Sequence, residues 1–287
     1  MTLGMAWIWL VLLYGTGKGV RDAFKKKALT KSGTMEVLFF YTALSFLLTI
    51  PFAGSLFGMK PVSYLLIFVK SFVIFLAWIC GFRALSVMPV SLFGVIDMSG
   101  VLFSTLLGVV LLGERPGLLH WFGLVLVLAG LLILALSRGK LRGTGVSGRI
   151  MLFAVLSCLL NAVSGTMDKL LMRTGDITDG QLQTWYMFFL TMLYLGYILV
   201  SKTEIHVKTL KSNGWIVAMA LLFVVTDRAL FIANGYPDSS VTVMTLLKQS
   251  AVIMSLLLGK LWFHETGVWR RALCALLIAA GIVLSVV

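Results

Sequence analysis

Tyr14-Gly15-Thr16-Gly17-Lys18-Gly19-Val20-Arg21-Asp22 closes an apolar run that begins near Leu3, and its reading decides the fold. An apolar stretch of membrane length that ends in an ammonium, a guanidinium and a carboxylate cannot simply face lipid. A charge at the centre of a bilayer helix costs about 2.5–3.5 kcal/mol on insertion scales, so such groups must turn toward protein or water. Tyr14, Lys18 and Asp22 fall at i, i+4 and i+8 and share one helix face. The three glycines each weaken a helix by about 1 kcal/mol relative to alanine, and they permit bending or the close approach of a neighbouring helix or ligand.

The stretch has a counterpart downstream. Gly19 and Asp22 recur as Gly165 and Asp168 (165 − 19 = 146), and Phe39-Phe40 returns as Trp185-Tyr186 at the same offset. Further along, Gly108, Glu114 and Gly130 recur as Gly259, Glu265 and Gly281 (259 − 108 = 151). The matching stretch, Asn161-Ala162-Val163-Ser164-Gly165-Thr166-Met167-Asp168-Lys169, places Asn161, Gly165 and Asp168 on one face. Internal repetition with buried charge is how many carriers build a site at the centre of a membrane.

The composition agrees. Of 287 residues, 60% are hydrophobic and 12% charged, and the mean hydropathy is +1.02. A soluble domain carries about 25% charged residues, so this is a membrane protein. The apolar segments run approximately 3–20, 35–57, 62–85, 90–112 and 118–136, then from 150, 182–200, 214–233, 240–263 and 270–287. Lipid requires backbone groups to bond internally, and continuous apolarity of about 20 residues favours helices. The expected fold is an all-α integral membrane protein of ten transmembrane helices. They form two five-helix repeats, residues 1–137 and 150–287, joined by a basic, glycine-rich linker over 138–149. An odd number of spans per repeat inverts the second copy relative to the first. The first apolar segment has no basic leader and no small-residue cleavage site, so it reads as a retained first helix.

The net charge of +13 is explained by loops facing anionic lipid, and no nucleic-acid motif accompanies it. Arg21, Lys25, Lys26, Lys27 and Lys31 follow the first span, although part of this cluster can lie on a helix inside a cavity. Arg138, Lys140, Arg142 and Arg149 follow the fifth, Lys202, Lys208 and Lys211 the seventh, and Arg270 and Arg271 precede the tenth. The positive-inside rule puts that side in the cytoplasm and both termini outside a plasma membrane crossed many times. Cys80, Cys158 and Cys274 are too few and too far apart for a disulfide framework, and the three histidines stand apart, so no metal or other cofactor is expected.

Several buried charges are candidates for ligand binding. Asp22 and Asp168 either pair at equivalent points of the repeats or form salt bridges beside Lys25 and Lys169. Asp97 and Lys248 also correspond (248 − 97 = 151). They suit either an ion pair across the two-fold axis or a site for a zwitterion. Arg83, Asp227 and Arg228 interrupt apolar runs, and Arg holds carboxylates or phosphates with two bonds. Lys70 lies within the third segment and can point to an end. Tyr41, Trp78, Trp185 and Tyr186 either line a pocket or pack. Glu114 and Glu265 read as anchors of tight turns between spans. No nucleophile–base triad, phosphate loop or metal cluster appears, so the chain is not read as an enzyme.

Together these residues resemble the drug/metabolite transporter superfamily, in its ten-helix EamA-like branch, over essentially the whole chain. The likeness rests on Tyr14-Gly15, on Ala84-Leu85 followed by Pro89-Val90-Ser91, and on Leu111-Leu112-Gly113-Glu114-Arg115 with Gly123 and Gly130. It rests too on Leu258-Gly259-Lys260-Leu261-Trp262-Phe263-His264-Glu265 with Gly281. Many relatives have proline near the start of the fourth and ninth core helices, where this chain has Ser99-Gly100 and Ser250-Ala251. The resemblance implies alternating access, with helices one to four and six to nine around a central cavity and helices five and ten outside it.

The leading expectation is a secondary transporter of a small anionic or zwitterionic metabolite, such as an amino acid or organic acid. Its candidate ligand residues are Tyr14, Lys18, Asp22, Arg83, Asp97, Asn161, Asp168, Trp185, Asp227, Arg228 and Lys248. Proton coupling through Asp22, Asp97, Asp168 or Asp227 fits the same picture. The partners are then a small molecule, protons and membrane lipids. A monomer suffices, and the oligomeric state stays open. Competing readings are an exporter of amphipathic or cationic compounds, a lipid flippase, and a non-transporting receptor or assembly protein.

Overall fold

The computed structural model describes residues 6–54, 56–112, 117–136, 146–173, 176–206, 208–234, 236, 244 and 247–284. Glu114 with its neighbours Gly113, Arg115 and Pro116, most of the linker (138–145) and the Lys169 side chain lie outside what is described. The described residues are helical, with no strand among them.

Helix α1 spans Ala6–Leu29 and α2 Thr34–Thr49, closed by a short 3-10 turn at Ile50–Phe52. Helix α3 spans Pro61–Val87 and starts with proline, whose missing N–H costs nothing at that position. Pro89 stops α3 and opens α4, Val90–Asp97; α5 covers Gly100–Leu112 and α6 Leu118–Leu136. In the second half, α7 spans Gly148–Arg173, α8 Asp179–Ser201, the short α9 Lys208–Ser212 and α10 Gly214–Asn234. Helix α11 covers Ser250–Phe263 and α12 Val268–Leu284. A reciprocal cap starts α8: the Thr178 hydroxyl accepts from Gln181 N–H, and the Gln181 side chain accepts from Thr178 N–H.

Six helical stretches among the described residues are long and apolar enough to cross a membrane: Thr34–Phe52, Pro61–Val87, Val90–Leu107, Gly148–Asp168, Asp179–Ser201 and Gly214–Ala233. Ser250–Phe263 and Trp121–Ile133 are shorter apolar helices. Helix α1 is long enough but carries Lys18, Arg21, Asp22 and Lys25–Lys27, which is why apolarity alone does not single it out.

Two expectations need correction. The first helix does not end near Val20 but runs nine residues further, to Leu29. The basic cluster read as a loop is therefore largely helical, and Arg21 is buried. The fourth apolar run is not one helix. Around Met98-Ser99 the bonding tightens to i→i+3, with Ser99 N–H donating to Ile96 O and Val101 N–H to Met98 O. Asp97 is the last residue before this break. A second break falls at Gln249, next to Lys248.

Helix α1 packs on α10 and α11, and α7 packs on α3, α4 and α5. Helix α2 meets α8 and α10, α3 meets α8, α4 meets α11, and α6 meets α12. Gly130 of α6 lies against Ile278 and Cys274 of α12, while Gly281 of α12 lies against Gly123 and Val127 of α6. One apolar core gathers Tyr41, Phe82, Tyr194 and Phe223 between α2, α3, α8 and α10. Another forms around α4, α7 and α12 through Leu92, Phe93, Cys158 and Ile278. Large apolar side chains remain exposed on the outside, such as Leu118, Val200 and Leu273. In a bilayer that outer surface faces lipid tails, so packing, not burial from water, holds the helices together.

The connections gather at two ends. At the first, which we call end A, Asn213 donates to Ala28 O and Ser32 Oγ, and Glu36 accepts from His206 N–H and the Thr209 hydroxyl. At end B, Lys60 pairs with Asp176 at 2.7 Å, and Phe52 O lies against Gly180.

Candidate functional site

The glycines of α1 set the geometry. A Cβ on Gly15 would strike Ser250 Oγ and approach Leu247 O at 2.9 Å; one on Gly19 would strike Ala251 O and approach Met254 Cβ at 2.6 Å; one on Gly17 would strike Thr226. Thus α1 is wedged between α10 and the broken segment leading into α11, backbone against backbone. Wedging holds its charged face against neighbouring elements.

Each ionised group on that face finds an opposite charge. Lys18 pairs with Asp97, Arg21 with Asp227 of α10 at 2.9 Å, and Lys25 with Asp22 at 2.7 Å. From the α3–α7 pair, Lys70 of α3 meets Asp168 of α7 at 3.2 Å and lies over the Tyr186 ring at 4.2 Å. The guanidinium of Arg21 also stacks on Phe223 at 5.0 Å, and Lys248 lies over Tyr14 at 5.9 Å.

These pairs are neighbours rather than isolated couples. Tyr14 is within electrostatic reach of Lys18, Asp227, Arg21 and Asp97. Asp168 is within reach of Asp227 and Lys248 as well as Lys70. Exposure divides the set in two. Lys18 and Asp97 keep 26% and 24% of their side chains accessible and Asp168 keeps 28%, whereas Asp22 and Lys70 keep only 4% and 3%. Tyr14, Asn161, Asp227 and Lys248 are likewise half-buried. So Arg21, Asp22, Lys25 and Lys70 form a more sealed layer, and the remaining groups stand at a more accessible surface within the bundle.

The sequence expectations sort accordingly. Tyr14, Lys18, Asp97, Asp168, Asp227 and Lys248 come together. Asp22 is bound to Lys25, as the ion-pair alternative has it, and does not meet Asp168. Asp97 pairs with Lys18 of α1, a partner that the repeat offset does not indicate. Asn161 stays on its own helix, its amide donating to Ser157 O at 2.8 Å, one turn beyond Cys158, whose thiol donates to Ile96 O.

Three candidates lie apart. Arg83 is exposed near the end of α3. Arg228 pairs with Asp179 at 3.3 Å at end B. Trp185 donates its indole N–H to Leu56 O at 2.8 Å and packs on Tyr64 and Phe189, also at end B. Its contacts there are those of a packing residue.

Arg21, Lys25, Lys70, Tyr41 and Tyr186 belong to the charged interior but are absent from the leading set of candidates read from the sequence. Arg21 and Lys25 continue the i, i+4 spacing of Tyr14 and Lys18, which was a usable signal. For Lys70, nothing beyond its apolar surroundings distinguishes a buried partner from a group reaching an end.

A helical bundle with lipid-facing outer surfaces and a paired, partly accessible charged interior defines a multi-pass membrane protein. Residues 5–136 match the EamA-like transporter family, a branch of the drug/metabolite transporter superfamily. This is a family of transporters, which implies a small-molecule substrate. No curated protein matches the chain. A solved crystal structure resembles it over 96% of this chain and 96% of its own, with a TM-score of 0.63 at 17% identity; at that identity the likeness speaks for the fold.

Proposed function

We propose that the protein is a secondary-active transporter that carries a small anionic or zwitterionic metabolite, such as an amino acid or organic acid, across the cell membrane by alternating access. The observation that carries this reading is the accessible set Tyr14, Lys18, Asp97, Asp168, Asp227 and Lys248, with both signs of charge deep within the bundle. Two of these, Asp97 and Lys248, sit at breaks in helices, where carriers commonly place ligand sites. With the sealed layer included, Lys18, Arg21, Lys25, Lys70 and Lys248 outnumber Asp22, Asp97, Asp168 and Asp227 by one cation among the described residues, which favours a ligand bearing a carboxylate.

In this reading ten helices form two inverted halves, 1–137 and 150–287, linked by 138–149. The packing pattern supports it. Exchanging the halves turns the α1–α10 contact into α7–α3 and the α1–α11 contact into α7–α5, and it maps α2–α8 and α6–α12 onto themselves. Proton coupling falls to a carboxylate that water reaches, which favours Asp97, Asp168 and Asp227 over Asp22.

The test is uptake of radiolabelled alanine, glutamate and citrate into proteoliposomes, with and without an imposed pH gradient. We expect at least one to accumulate, Lys248→Ala to cut that uptake at least tenfold, and Asp97→Asn to remove the response to the gradient. Asp97→Asn leaves Lys18 within reach of water, so the variant should fold. Failure of all three probes, or uptake unaltered by Lys248→Ala, would refute the proposal.

A further inference from the structure

Among the described residues, the charged interior leaves the buried acid Glu265 unused. Glu265 lies in the turn between α11 and α12, after the left-handed His264 that ends α11. Its carboxylate does more than hold a turn. One oxygen accepts from Val90 N–H at 2.6 Å. The other accepts from Ser91 N–H at 3.2 Å, from the Ser91 hydroxyl, and from Arg271 at 2.9 Å. Arg271 also donates to Ser91 Oγ. The Glu265 and Arg271 side chains are only 8% and 4% exposed. The carboxylate thus sits on the amide end of α4, where the helix dipole favours an anion.

The same connection is held on its other flank. Lys26 of α1 donates to Leu85 O at 2.7 Å and to Ser86 O and Met88 O at 2.9 Å, the carbonyl end of α3. Residues 85–91 are therefore gripped by a cation on their carbonyls and a carboxylate on their amides. Gly259 explains its own place: a Cβ there would lie 2.8 Å from Glu265 Oε2 and 3.1 Å from Ser91 Cβ.

We infer that Glu265, with Arg271 and Ser91, is a latch that holds end A of the bundle closed by tying the second half of the chain to the start of α4. The inference rests on the alternating-access reading for its role, though not for its geometry. Its chemistry suits reversible closure. All of its groups are polar and lie at an end of the helices, so on opening water replaces the bonds that are lost. The net free-energy difference between the states then stays small, as it does for ion pairs that can hydrate. An apolar plug would resist wetting instead. The Glu265 contacts cross between the halves of the chain, while Lys26 keeps the α3–α4 connection a firm abutment.

The experiment uses the full chain in nanodiscs with Cys80, Cys158 and Cys274 replaced by alanine, and spin labels at Val87→Cys and Leu261→Cys, both exposed positions at end A. In Glu265→Gln we expect the share of long label-to-label distances to rise roughly tenfold over the parent. Amide exchange at Val90 and Ser91 should speed up roughly tenfold to a hundredfold, the scale set by loss of a charge-assisted hydrogen bond. Should Glu265→Gln not fold, Ser91→Ala, which removes one donor only, must show the same shifts at smaller amplitude. A parent-like distance distribution and exchange rate in the folded variant overturn the latch. If end A widens while proteoliposomes carry nothing, the latch stands and the transport reading falls. If transport proceeds while the distances stay fixed, the reverse holds.

Discussion

The Lys70–Asp168 pair shows how unequal the two ends of one ion pair can be. Lys70 is 3% exposed and Asp168 28%, so removing one partner is not equivalent to removing the other. Asp168→Asn leaves an ammonium that cannot reach water and has lost its neutralising carboxylate, with the Tyr186 ring still beside it. Breaking a buried pair in this way costs about 3–5 kcal/mol. Lys70→Met leaves a carboxylate that can rehydrate, and the loss should be clearly smaller. The double variant should recover much of the loss from Asp168→Asn. Thermal and denaturant unfolding in detergent, followed by circular dichroism, would rank the three; equal losses for the two single variants would contradict the exposure argument. What the sequence revealed at this scale follows the same logic. A lone charge in an apolar run announces that it must be partnered, so Lys18, Asp97, Asp168 and Asp227 were visible. Which partner it takes depends on helix packing, and so the Asp97–Lys18 and Asp168–Lys70 pairs were not.

Helix α1 shows what spacing reveals about an element and what it hides. Gly15, Gly17 and Gly19 are correctly read as points of close approach, and Gly165 is their counterpart in the repeat. The structure separates them. A Cβ on Gly19 meets the α11 backbone, whereas one on Gly165 meets no other atom within 4 Å. Gly19→Ala should therefore destabilise the protein by about 1–3 kcal/mol through overpacking. Gly165→Ala should be neutral or gain about 0.5–1 kcal/mol from reduced backbone freedom. The midpoint of thermal unfolding decides this, and a loss at Gly165 as large as that at Gly19 would count against the wedge. The ends of this element were less legible. Basic residues after an apolar run resemble a loop, because sequence alone cannot show that Arg21, Lys25 and Lys26 find Asp227, Asp22 and the α3 carbonyls. The break at Met98-Ser99 was hidden for a different reason. It is made by backbone bonding within an unbroken apolar run, and neither serine nor glycine there demands it.

At the scale of the whole molecule, the basic residues near helix ends, among those described, lie mostly at one end. Lys27, Lys31, Lys202, Lys208, Lys211 and Arg270 all sit with the end-A connections, and Lys60 stands at end B beside Asp176. Positive charge near span ends is retained on the cytoplasmic side, so end A should face the cytoplasm and end B the exterior. The test places single cysteines at two exposed lysines in the background lacking native cysteines. Lys60→Cys should react with a membrane-impermeant maleimide added to intact cells. Lys202→Cys, on the left-handed residue that ends α8, should react only after permeabilisation. Neither substitution disturbs a buried group, so labelling reports sidedness without a folding penalty. The opposite pattern would invert the molecule, making the Glu265 latch an exterior closure and sending the accessible face of the charged interior the other way.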